Sequence, residues 1–220
     1  MSTTSEAKQR RKYDNSRRRA DAEARQRSII EAATALFVEQ GFGPTTIDQI
    51  AATADVSPQT IYATYGSKAA VLFRAIEVAV AGDYDEAPLM DFAPELTELS
   101  EHRSQFAAAA HFVREMHDRV APLMRVMEGA ASTDPSLEES RRRLLHQIRS
   151  GCAVWVSQIG PKALRPGLSQ DQAIDVMFTM QAPHLYSIYT VDLGWTPDQY
   201  ETWLAHALPH LLLRPDLLTD

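Results

Sequence analysis

Apolar residues in this chain return at spacings of three and four and seldom at two, and glycine is scarce, at 9 of 220 residues. That period marks a helix face, whereas a half-buried strand alternates. The spacing predicts an all-α protein of about nine helices. Tyr186-Ser-Ile-Tyr-Thr-Val191 is the one strand-like stretch. It continues the spacing of Phe178, Gln181, Leu185 and Ile188, so it also reads as helix.

Helix starts and stops are densest between residues 24 and 81. A helix over 24–40 carries Ile29, Ile30, Ala33, Leu36 and Phe37 on one stripe, and Gly41 ends it. Thr46-Ile-Asp-Gln49 is a capping box that opens a short helix with Ile47, Ile50 and Ala51 inward. Ala54-Asp55-Val56 is a turn. Ser57 then caps a third helix, with Pro58 at its first position. Tyr65-Gly66-Ser67 breaks it, and Ser67 caps a fourth helix over 68–81. Further helices are expected over 103–119, 122–131, 135–159, 170–191 and 197–213. Asp134-Pro135, Ser169-Gln-Asp-Gln172 and Thr196-Pro-Asp-Gln199 signal three of these starts. Pro183 should kink or break the 170–191 helix near Gln181-Ala182.

The net charge is −7, which alone argues against nucleic acid. The charge is unevenly spread, however. Residues 8–27 hold nine basic side chains against three acidic ones, and residues 83–101 hold seven acids and no base. Such asymmetry points to an anionic partner at the N-terminal end. The chain therefore divides into a basic N-terminal arm (1–27), a three-helix domain (28–82) and a larger helical bundle (83–220).

A short helix, a three-residue turn and a second short helix, buttressed by a longer first one, make a helix-turn-helix. Its second helix must project N-terminal side chains into a major groove about 12 Å wide. Val56 and Ile61 supply the apolar inner face, and Gln59, Thr60, Ala63 and Thr64 a small or polar outer one. Gln can donate to and accept from adenine, and Thr can touch a thymine methyl. Ser57 and Pro58 lie nearest the bases. The arm, including Arg17, Arg18 and Arg19, would track the phosphate backbone or enter a minor groove.

From Ile29 to Leu72 the order and spacing of Ala32-Ala33, Leu36-Phe37, Gly41-Phe42, Thr45-Thr46, Ile50-Ala51, Val56-Ser57, Thr60-Ile61-Tyr62, Tyr65 and Ser67-Lys68 resemble the DNA-binding domain of the tetracycline-repressor (TetR) family. The resemblance implies a homodimeric transcriptional regulator, usually a repressor released by a small molecule held in the C-terminal helices. It places phosphate contacts on Thr46, Tyr62 and Lys68 and base-proximal roles on Pro58, Gln59 and Thr64, with Tyr65 also in the DNA-contacting set. The chain departs from the family where Asp55 replaces Gly, Thr64 replaces His, Tyr65 replaces Phe and Gly66 replaces Pro. Lys68 carries a further argument: a cation in the first turn of a helix opposes the macrodipole, and a phosphate there would offset it.

Residues 169–213 are similar to the last two helices of one subset of that family, which form its dimer interface. Trp203, Leu204, Leu208, Leu211 and Leu212 give a broad apolar face suited to that role. A lipophilic effector pocket would be built from Phe112, Met116, Met124, Met127, Trp155, Met177, Phe178 and Gln181, with His111 and His184 as polar candidates. The expected partners are double-stranded operator DNA, a second copy and a small effector, with no membrane.

Enzymatic readings find little support. His206 and His210 are spaced as metal ligands, but the glutamate of a zincin is replaced by Ala207. No phosphate-binding or dinucleotide-binding glycine motif occurs, so no cofactor or metal is expected. A single cysteine, Cys152, excludes an internal disulfide. No apolar run approaches the ~18 residues of a membrane helix, so a cytoplasmic setting is expected. The alternative reading is a helical ligand-binding protein, or a regulator without a small-molecule effector.

Overall fold

The computed structural model describes the backbone of residues 3–82, 102–131 and 134–218, with side chains from residue 17 onward. The expected acidic boundary segment 83–101 lies outside the described residues. The chain divides into two compact units, Met1–Ala75 and Ile76–Asp220.

In the first unit, α1 (Thr3–Gln40) is longer than its apolar stripe predicts, for it continues back through the basic arm. The reason is propensity. Residues 3–40 contain no Gly or Pro and are rich in Ala, Arg, Glu and Gln, which hold a helix without an apolar face. An i,i+4 pair, Arg19 Nε to Glu23 at 2.8 Å, braces the exposed part. From Ile29 onward the stripe is buried: Ile29, Ile30, Ala33 and Phe37 are shut off from solvent, as are Ile50 and Ile61. α2 (Ile47–Thr53), α3 (Pro58–Tyr65) and α4 (Lys68–Ala81) follow. Phe42 stacks on Phe37 with ring centroids 5.8 Å apart, closing the loop after α1 onto the core.

The second unit is also helical: α5 (His102–Ala131), α6 (Pro135–Ile159), α7 (Gln170–Met180), α8 (Pro183–Ser187) running into a π turn at Ile188–Asp192, and α9 (Pro197–Leu212). The two helices expected over 103–119 and 122–131 are one. Pro122 lies exposed inside α5 between buried Val120-Ala121 and Leu123-Met124. Tertiary packing on both sides outweighs the single hydrogen bond that Pro122 cannot make. The break at Gln181-Ala182 falls where Pro183 predicts, and the strand-like stretch is helical.

Tyr200, Leu204, Leu208 and Leu212 form one stripe of α9, each fully buried in a core shared with α5, α6 and α7. This corrects the expected dimer face. Leu204, Leu208 and Leu212 serve the chain's own core, while Leu211 remains 38% exposed and Trp203 half-exposed. The apolar arc of α9 is wide enough to face two ways, and composition alone does not say which residues turn inward. Backbone bonds from Arg165 to Leu212 (2.8 Å) and from Arg214 to Ala163 (3.0 Å) tie the end of α9 to the loop after α6.

Candidate functional site

The first unit presents α3 through a set of local devices. Thr46 Oγ1 accepts the Gln49 N–H at 3.1 Å and the Gln49 side chain accepts the Thr46 N–H at 2.8 Å, so the α2 capping box is complete. The turn into α3 closes through the Val56 N–H on the Ala51 carbonyl at 3.0 Å. Asp55 takes the left-handed conformation there, at φ 54°. Ser28 Oγ donates to the Ala54 carbonyl at 3.2 Å, fastening the turn to α1. Ser57 Oγ then accepts the Thr60 N–H at 3.2 Å, with Pro58 at the first helical position.

The outcome is a two-turn rod with one buried anchor and a polar outer face. Ile61 is buried, whereas Gln59, Tyr62 and Thr64 are exposed, Tyr62 at 54%. Thr60 is half-buried, with its hydroxyl 2.9 Å from that of Ser57. Thr64 Oγ1 donates to the Thr60 carbonyl at 2.8 Å. Tyr65 is half-buried, and burial raises the pKa of its phenol above the ordinary value, against the opposing charge of Arg74. Arg17, Arg18 and Arg19 lie exposed on the forward part of α1.

Lys68 is placed differently from its sequence reading. Its Nζ donates to the carbonyls of Phe42 at 2.6 Å and Thr45 at 2.7 Å, with Gly43 at 3.4 Å, and stands 4.2 Å above the Phe42 ring. The cation thus clamps the α1–α2 loop. Thr45, fully buried, adds a second fastener by donating to the Gly41 carbonyl at 2.7 Å.

In the second unit the expected effector residues split. Trp155 and Met177 lie in the core cluster, with Phe112 and Phe178 packed against it. Met124, Met127 and Gln181 are buried, and Met116 is half-buried. His111 and His184 turn outward, with side chains 52% and 66% exposed, toward Glu201 and Glu128. A concavity of about 500 Å³ lies instead at the surface, lined by Trp195, Asp198, Gln199, Thr202, Trp203 and His206.

The polar residue that the sequence reading passes over is His117, which is fully buried on the inner face of α5. Its Nε2 lies 2.8 Å from the Gln181 carbonyl, which can only accept, so Nε2 carries the proton. Desolvation pulls its pKa down to about 4, against that bond and the nearby charge of Asp118. The sequence signal was a polar side chain on an otherwise apolar stripe. Cys152 is buried, and desolvation pushes its thiol up to about 12, outside the range of a nucleophile at neutral pH.

A helix-turn-helix with an exposed, capped second helix defines a DNA-binding protein. The comparisons place it more narrowly. Residues 29–75 match the family model for bacterial regulatory proteins of the tetR family. The chain is 28% identical over 158 residues to the HTH-type transcriptional regulator YdeS of Bacillus subtilis, covering 71% of this chain and 75% of that one. It is 49% identical over 55 residues to the HTH-type transcriptional regulator HbdR of Aromatoleum, covering 25% of this chain and 24% of HbdR. Among solved structures it is similar to NalD of Pseudomonas aeruginosa, described as the secondary repressor of the MexAB-OprM multidrug efflux pump. The TM-score there is 0.67 at 18% identity, over 89% of this chain and 99% of NalD. Residues 29–75 are thus similar to the DNA-binding domain of the tetR family, and the relatives that the chain matches are named as HTH-type transcriptional regulators. Among the described residues no helix is long and apolar enough to cross a membrane.

Proposed function

We propose that this regulator is a homodimeric cytoplasmic repressor that reads a two-fold symmetric operator and releases it when a small lipophilic molecule binds the second unit. The observation that carries the reading is the outer face of α3. Gln59, Tyr62 and Thr64 are exposed on a rod fixed at both ends by Ser57 and Gly66 and anchored by Ile61. Gln59 and Thr64, with Ser57, Pro58 and Thr60 at the helix start, serve as base-edge readers, and Tyr62 and Thr46 as phosphate contacts. Arg17, Arg18 and Arg19 add backbone charge. The repressor sign draws support from NalD as named above. Pairing of two copies draws support from the apolar surface left around Trp203 and Leu211. Release requires a coupling free energy between effector and operator, typically ~1–3 kcal/mol.

Selection of bound duplexes from a random pool tests the reading. We expect two inverted half-sites about one helical turn apart. Tyr62→Ala should weaken the selected duplex about 10-fold, the worth of one charge-assisted contact. Recovery of unrelated sequences, or of a lone half-site, overturns the proposal.

A further inference from the structure

The second unit keeps buried polar atoms that its own fold does not answer. His117 Nδ1, Gln181 Nε2 and Ser187 Oγ are inaccessible and lack a hydrogen-bond partner, and their residues are 0%, 8% and 6% exposed. Buried polar groups are nearly always paired, and each one left unmet bears its full desolvation cost. His117 and Gln181 touch, through the 2.8 Å bond from Nε2 to the Gln181 backbone carbonyl. The two buried tyrosine hydroxyls of this region are committed elsewhere. Tyr186, whose ring is 5.4 Å from that of His117, donates to Asp118. Tyr200 donates to the Met180 carbonyl at 3.1 Å.

The chemistry of the two main orphans is complementary. With the proton on Nε2, Nδ1 of His117 is an acceptor, and burial keeps the ring neutral at physiological pH. Nε2 of Gln181 is a donor. A hydroxyl is the smallest group that offers a hydrogen to the first and a lone pair to the second. An anion would face the His117 acceptor with nothing to donate, and a cation would face the Gln181 donor with nothing to accept. The surroundings are apolar and adaptable: Met177 lies one turn before Gln181, and Met124 lies two turns along the same face of α5 as His117, both fully buried. The site sits where Pro183 breaks the chain between α7 and α8.

We propose that His117 and Gln181 form the polar anchor of the effector site, and that the effector class is a neutral molecule with a hydroxyl on an apolar body. This rests on the ligand-released reading above and gives it a ligand chemistry.

The test uses the full-length protein and four single-ring probes, phenol, toluene, benzoate and benzylammonium, with binding followed by calorimetry and by the shift in melting temperature. Phenol should bind at least 10-fold more tightly than toluene, although toluene is the more apolar of the two. Benzoate and benzylammonium should bind more weakly than phenol. Gln181→Met, which keeps the volume and removes the buried donor, should erase the preference for phenol while leaving the free protein's melting temperature unchanged or higher. Equal binding of phenol and toluene by the unmodified protein overturns the proposal, as does silence of both, or a preference that survives Gln181→Met. Anchoring groups satisfied by solvent alone give the equal result. Operator release is scored separately by gel shift. Phenol binding without release sinks the repressor reading and leaves the site. Release by phenol and toluene alike sinks the site and leaves the repressor reading.

Discussion

Single residues in this protein carry measurable consequences where they depart from the cheapest choice. Asp55 holds a left-handed backbone in the turn that aims α3, at φ 54°. Asp tolerates that region less well than Gly, because its Cβ crowds the following carbonyl. Asp55→Gly should therefore stabilise the first unit by roughly 0.5–1 kcal/mol, seen as a higher urea midpoint at constant slope. A lower midpoint would mean that the aspartate side chain supplies more than the strain costs. His117 makes a prediction of opposite character. Its pKa lies near 4 in the folded chain, below the ordinary value of 6.5, chiefly through desolvation. Between those values the unfolded chain binds a proton that the native one does not, so stability falls as pH drops from about 6.5 toward 4. The full loss is on the order of 3 kcal/mol. His117→Gln cannot titrate, and the melting temperature of that variant should fall less over the same range. Parallel curves for the two proteins would show that His117 is not the group responsible.

At the scale of elements, Lys68 decides how the loop before α2 is held. Its ammonium lies on the carbonyls of Phe42 and Thr45 and over the Phe42 ring, which joins the start of α4 to the end of α1. Lys68→Met should lower the stability of the first unit and weaken operator binding, while leaving the slope of log K against log salt unchanged. A lysine that neutralises a phosphate would instead flatten that slope by ~0.9. The same residue marks the limit of what sequence makes legible. Caps, turns and the buried stripe are local, so Thr46, Ser57, Gly66, Ser169 and Thr196 could be placed from neighbours three residues away. The extension of α1 and the fusion across Pro122 were hidden because one rests on propensity without an apolar face and the other on packing around a proline. The carbonyls around Lys68 lie 23–26 residues before it, and His117 meets Gln181 across 64. No spacing rule spans such separations. The residues were visible, and their partners were not.

For the whole molecule the question is how the two reading heads of the proposed dimer come to act together. α9 spends Tyr200, Leu204, Leu208 and Leu212 on its own core, which leaves a different apolar set outside. Val191 is 55% exposed, Leu193 60% and Leu211 38%, and Trp195 and Trp203 line a concavity of about 500 Å³ with their rings 6.4 Å apart. Large apolar side chains gathered at one end of a chain are expected to be covered by a partner. Operator DNA with two-fold symmetry asks for a second copy. Changing Leu193→Asp and Leu211→Asp together places two carboxylates on each copy's contact face, and none in the core. We expect the unmodified protein to sediment as a dimer and the double variant as a monomer with the same helix content. Operator affinity should then collapse, because the second half-site would no longer be bound at high effective concentration. The salt slope should fall to about half, since one head neutralises half the phosphates. A double variant that stays dimeric would move the interface elsewhere on the second unit. A monomeric variant that keeps the full affinity and slope would show that each head binds alone, and the symmetric operator would go with it.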